Sequence, residues 1–155
     1  MTEPLEPQVQ DAAAAARLCA ALLALGGGLA RWSLVLAALA FVVLFWRDLG
    51  PAGLAAVLAS LACGALAAYH ASRVRLDAAL FDAWARRWSQ ADAAPAEDMV
   101  AFDRALAGLR TSTRPSRSGR TLALRCVGAR ALLARQCVYT VLQTLSLLVA
   151  ALVCV

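Results

Sequence analysis

The chain has 155 residues, 62% of them hydrophobic, and a net charge of +5, with a mean hydropathy of +0.68. A soluble domain carries an apolar share of roughly half, so this composition excludes an ordinary water-soluble fold and points to an all-α integral membrane protein. The fifteen basic residues are all Arg and Ala is the commonest residue; both fit a GC-rich bacterial genome, so charge is read here by position and not by residue type.

Residues 1–25 form a first segment, in which Val9 to Leu25 is predicted as a short helix lying in or near the membrane interface. The apolar run Leu18 to Leu25 followed by Gly28-Leu29-Ala30 has some features of a cleaved signal, but Glu3, Glu6 and Asp11 stand where such a signal carries positive charge. Gly26-Gly27-Gly28 is expected to be a flexible joint to the next helix.

Residues 26–71 read as a transmembrane helical hairpin. Gly26 to Trp46 is about 31 Å long as a helix, the thickness of a hydrocarbon core. Its one charge, Arg31, lies near an end where it can snorkel beside Trp32. Arg47-Asp48-Leu49-Gly50-Pro51 carries charge, glycine and proline in succession, as a tight turn does. Ala52 to Ala71 then has no formal charge and forms the second span, with Tyr69 at its exit. That span bears two ridges of small residues at i, i+4 spacing: Ala52, Ala56, Ser60, Gly64, Ala68 and Ala55, Ala59, Cys63, Ala67, Ala71. Small residues let backbones approach, so Ala56, Ser60, Cys63, Gly64 and Ala67 are the expected helix-packing positions, one ridge serving the chain itself and the other a partner.

Residues 72–135 hold twelve Arg against six acids. The positive-inside rule makes them a basic helical cytoplasmic loop, with the N-terminus cytoplasmic and the C-terminus outside. A helix over Arg73 to Trp88 aligns Val74, Ala78, Phe81, Trp84 and Trp88, with Asp82 and Arg86 spaced to pair. A second helix opens at Pro95 with Glu97 and Asp98, and puts Met99, Phe102, Leu106 and Leu109 on one face. Thr111 to Arg120 is a linker of Ser, Thr, Pro, Gly and Arg. A third helix starts near Thr121 and runs unbroken into the last span. These apolar stripes either pack together as a small bundle or lie on the inner leaflet, where Arg73, Arg75, Arg86 and Arg87 would meet anionic headgroups beside Trp84 and Trp88. The Arg residues are interspersed with acids and no groove-reading motif accompanies them, so nucleic acid is not an expected partner.

Gln136 to Val155 is the third span, with Gln136, Thr140, Gln143 and Thr144 on one face. Amides in hydrocarbon need partners, so this face should turn inward or toward another subunit. Because the second span descends to the cytoplasm and the third leaves it, Tyr69, His70 and Arg73 should lie level with Gln136, Tyr139, Thr140 and Gln143. This is the one convergent polar cluster in the sequence. The five cysteines make no C-x-x-C pair, and neither a nucleophile–base set nor a phosphate loop can be assembled, so no catalytic residue, metal or cofactor is expected.

Taken together these features suggest a bacterial inner-membrane protein acting as a non-enzymatic accessory or scaffolding subunit, with membrane lipids and other membrane subunits or itself as partners. The Gln136, Thr140, Gln143 stripe suggests as an alternative a homo-oligomeric transporter or channel. His70 suggests a quinone- or lipid-binding enzyme subunit.

Overall fold

A computed structural model describes residues 5–46, 49–90, 94–109 and 121–153. The Arg47-Asp48 part of the first turn, the 111–120 linker, the side chains of Leu106 and Leu109, and Cys154-Val155 lie outside the described residues. All regular structure among them is helical: α1 (Leu5–Ala24), α2 (Gly26–Trp46), α3 (Pro51–Trp88), α4 (Pro95–Leu109) and α5 (Leu122–Val153). Three stretches are long and apolar enough to cross a membrane: Gln8–Phe45, Pro51–Trp88 and Leu122–Val153.

The helix starts follow local chemistry. Pro51 and Pro95 each occupy a first helical position, where a missing N–H costs nothing. Glu97 and Asp98 in the first turn of α4 complement its positive end. Thr121 caps α5 by accepting a hydrogen bond from the Leu124 N–H through Oγ1 at 3.4 Å.

Two expectations are corrected by the helix boundaries. The Gly26-Gly27-Gly28 joint is helical, and α1 and α2 are parted by Leu25 alone, where the N–H groups of Leu25 and Gly28 bond three residues back. The glycine at 26 serves close packing instead: a Cβ there would stand 2.9 Å from Val74 and 3.0 Å from the Gln136 Oε1. Nor does a boundary separate the second span from the helix that begins at Arg73, because α3 is one rod of 38 residues. No glycine or proline interrupts its sequence between Gly64 and Trp88. At about 57 Å it is nearly twice the hydrocarbon thickness.

Burial along α3 alternates steps of four and three: Gly53, Val57, Ser60, Gly64, Ala67, Ala71 and Val74 are buried in turn, and Phe81, Ala85 and Trp88 continue the sequence. In α5 the buried positions Ala129, Gln136, Thr140, Gln143 and Ala150 fit the same seven-residue period. This is the pattern of left-handed knobs-into-holes packing. It also shows why neither small-residue ridge is buried whole. A line at i, i+4 drifts about 40° per step around a helix, so a contact line must cross from Ser60 and Gly64 in one ridge to Ala67 and Ala71 in the other.

The chain forms two compact units. One comprises residues 1–21 and 78–128; the other comprises residues 22–77 and 129–155. In the second, Ala40 of α2, Val57 of α3 and Ala150 of α5 make an apolar core, flanked by Val43, Leu44, Ala56, Leu61 and Leu147.

Candidate functional site

Within the second unit, the polar residues of the spans are arranged in layers one heptad apart. Gln143 is fully buried, and its side-chain amide grips α2 twice: Oε1 accepts from Ser33 Oγ at 2.6 Å and Nε2 donates to the Ser33 carbonyl at 3.0 Å. Ser60 Oγ of α3 donates to the Gln143 backbone carbonyl at 3.2 Å. The amide fits because α3 carries Gly64 there; a Cβ on Gly64 would lie 2.7 Å from Nε2. Seven residues earlier, buried Gln136 donates through Nε2 to the Gly26 carbonyl at 2.8 Å. Gly26 has no hydroxyl to give in return, and Gln136 Oε1 has no protein partner. Thr140 and Thr144 donate to the carbonyls one turn back in their own helix, which satisfies them without a partner helix.

The expected polar cluster is therefore divided. His70 stacks on Tyr139 with ring centroids 5.4 Å apart, Tyr69 meets His70 edge-on, and the Arg73 guanidinium lies 5.2 Å from the Tyr69 ring centre. Gln136 and Gln143 instead bond to α2, and Thr140 to its own helix. His70 is buried and its Nδ1 has no protein partner. Of the expected packing residues, Ser60, Gly64 and Ala67 are buried, while Ala56 and Cys63 are half-buried. Ser33 was not singled out by the sequence reading. Its signal is that it is the one hydroxyl between Gly26 and Trp46.

The first unit is built around aromatic rings. Trp84 stacks on Trp88 at 5.4 Å and meets Phe81 and Phe102 edge-on at 5.8 and 5.5 Å. Trp88 Nε1 donates to Asp98 at 2.9 Å, and Arg87 pairs with the same carboxylate at 3.1 Å. Arg125 of α5 bonds Asp103 at 2.6 Å and places its guanidinium 5.7 Å from both the Trp84 and Phe102 rings. Desolvated aromatic faces and a paired carboxylate are favourable surroundings for a largely buried arginine.

Of the proposed lipid-surface residues, Trp84 and Trp88 are accordingly corrected. Both are buried against other side chains, because an indole ring finds more contact in a packed core than on a headgroup surface. Arg73, Arg75, Arg86 and Arg87 remain exposed, with Arg86 paired to Asp82. Cys63, Cys126 and Cys137 are free thiols. Among the described residues no group of three His, Cys, Asp or Glu could hold a metal ion. Neither a family model, nor a curated protein, nor a solved structure matches this chain.

Proposed function

We propose that the protein is a non-enzymatic accessory or scaffolding subunit of a bacterial inner membrane, with its N-terminus cytoplasmic and its C-terminus outside. The observation that carries this reading is a second seven-residue line on α3, on the face roughly opposite the buried one. Ala52, Ala55, Ala59 and Ala62 are all exposed along it. Four alanines facing outward in heptad register allow another membrane helix to approach closely, and in lipid that close contact drives association. The large apolar side chains Leu34, Phe41, Phe45, Leu145 and Leu148 are also exposed and suit acyl chains.

The pore or carrier alternative needs the Gln136, Thr140, Gln143 face to line a shared cavity. Those side chains are buried and bonded within the chain, which favours the accessory reading.

The test is gentle extraction of tagged protein from its host, with native mass measurement and identification of whatever accompanies it. The outcome expected is a stoichiometric membrane partner that is lost when Ala55 and Ala59 are both replaced by Leu, while the variant itself stays folded. A partner retained by the Ala55→Leu/Ala59→Leu protein removes the main support. A pure homo-oligomer turns attention to flux in proteoliposomes.

A further inference from the structure

Arg31 is the one charge between Gly26 and Trp46, and contacts on either side of it fix its depth within the second unit. Five residues before it, Gly26 meets Val74 of α3 and Gln136 of α5. Two residues after it, Ser33 bonds Gln143, which lies against Gly64. The nearest charges on the neighbouring helices, Arg73 and Arg135, adjoin Val74 and Gln136 in sequence. Arg31 therefore stands about 7 Å farther along the axis than those arginines, at a level where α3 and α5 are uncharged.

The helix turns this residue away from the rest of the chain. Ser33, Leu36 and Ala40 of α2 are buried, whereas Arg31 is exposed and has no ion pair or side-chain hydrogen bond among the described residues. A helical side chain leans over the turn that precedes it, and here that turn holds Gly27 and Gly28. Unlike Gly26, neither serves packing within the chain, because nothing lies within 4 Å of the place a Cβ would take. Glycine is less favourable than alanine inside a helix. Two glycines beneath an outward arginine thus point to an external group that comes closer than a methyl would allow. Fluid lipid accommodates alanine as well as glycine, whereas a second helix backbone gains from the missing methyls.

We propose that the Gly27-Gly28-Arg31 face of α2 docks a helix of a different membrane protein that carries an aspartate or glutamate within its own span. The glycines admit the backbone of that helix, and the Arg31 guanidinium takes its carboxylate in a two-bond fork. Charged groups inside a span are held by a partner of opposite sign at their own depth. A second copy of this chain cannot supply one, because residues 26–46, 52–72 and 136–153 contain no Asp or Glu. Two copies of α2 side by side in the same orientation would also set Arg31 against Arg31. The inference rests on the accessory reading and names the chemistry of the partner, but it does not use the alanine line of α3.

The test uses the full-length protein in phosphatidylcholine liposomes and a synthetic leucine–alanine transmembrane peptide with one aspartate about 7 Å inside one end. Association is read by energy transfer from the protein tryptophans to a dansyl group on the peptide. The aspartate peptide should bind about tenfold tighter than its asparagine counterpart. Arg31→Gln should bring that ratio to about one, Arg31→Lys should keep most of it, and Arg31→Glu should favour a peptide with lysine in place of aspartate. Gly28→Leu should weaken both peptides alike, and an Arg17→Gln control, equal in charge change, should keep the ratio. Helical circular dichroism and a monodisperse elution profile establish that each variant is folded. Equal affinity of the parent protein for both peptides, or a preference that survives Arg31→Gln, overturns the proposal. So does a preference abolished when phosphatidylglycerol replaces phosphatidylcholine, which would make Arg31 a headgroup contact. A host partner lost on Ala55→Leu/Ala59→Leu, with no preference for the aspartate peptide, would remove this inference and leave the accessory reading standing.

Discussion

Replacing Gly64 by Ala tests the most tightly fitted glycine contact in the second unit. The added methyl would lie 2.7 Å from Gln143 Nε2 and 3.2 Å from its Cδ, so the amide has to retreat by about 0.7 Å to reach ordinary contact at 3.4 Å. The backbone of α3 cannot yield as easily, because Ser60 one turn away is bonded to α5. A retreat of that size takes the 2.6 and 3.0 Å bonds to Ser33 toward or past the useful limit of about 3.2 Å. Side-chain hydrogen bonds between membrane helices contribute about 0.6 kcal/mol on average and up to about 1.7 kcal/mol, so Gly64→Ala should cost about 1–3 kcal/mol. The assay is reversible unfolding in mixed micelles or bicelles for Gly64→Ala, Gln143→Ala and the pair. In the Gln143→Ala background the methyl enters space the amide has left, so the glycine substitution should become neutral or stabilising. If the two costs simply add, the collision between position 64 and the amide is not what makes Gly64 necessary.

Further expectations follow from single contacts. The Asp77 carboxyl pKa is raised chiefly by burial and lowered by Arg73, so the folded state holds this proton more tightly than the unfolded chain does. The stability this gives is complete below the ordinary value of 3.8 and is lost as pH rises through the raised one. Asp77→Asn should therefore raise the Tm at neutral pH and flatten its pH dependence; an unchanged slope would refute the sign. In the first unit, Arg125→Ala removes the cation that bonds Asp103 and lies over the Trp84 and Phe102 rings, and should cost about 3 kcal/mol in denaturation followed by tryptophan fluorescence. A cost below about 1 kcal/mol would class the pair with exposed salt bridges. Gln136→Leu should be less damaging than Gln143→Leu, because Gln136 makes one inter-helix side-chain bond and carries an unpartnered oxygen, whereas Gln143 makes two. Unfolding free energies in the reverse order would overturn that comparison.

Much of this architecture was legible because it follows from hydropathy, turn chemistry and helix capping. The run from Ala52 to Ala71, the start of α4 at Pro95 and the unbroken passage from Thr121 into the last span are local signals. The inward turn of Gln136 and Gln143 followed from the cost of an unpaired amide in hydrocarbon. What could not be read was the identity of their partners. Ser33 and Gly26 lie about 110 residues from the amides they bond, and only the three-dimensional register brings them together. The Gly26-Gly27-Gly28 joint was misread because glycine permits both flexibility and close approach, and sequence alone does not separate them. The aromatic stripe of α3 was equally ambiguous, since the same periodicity fits a core and a membrane surface. Arg125 resolved it by bringing a charge from α5 to lie against Trp84 and Phe102.

The Gln143 layer also fixes the alignment of helices whose apolar faces would otherwise let them slide. Apolar helix faces built from Ala, Leu and Val are nearly interchangeable after a shift of seven residues. Moving α5 by one heptad in one direction would bring Gln136 to Ser33 and Gly64, but it would drive Gln143 into the layer of Ala40 and Val57, where Ala40 stands in place of the Ser33 hydroxyl and Val57 in place of Gly64. Moving it the other way would place Ala150 between Ser33 and Ser60, leaving the Ser33 hydroxyl without its side-chain acceptor and the Ser33 carbonyl without its donor. One serine–glycine–glutamine combination, occurring at a single level, thus makes one alignment of these helices cheaper than its neighbours.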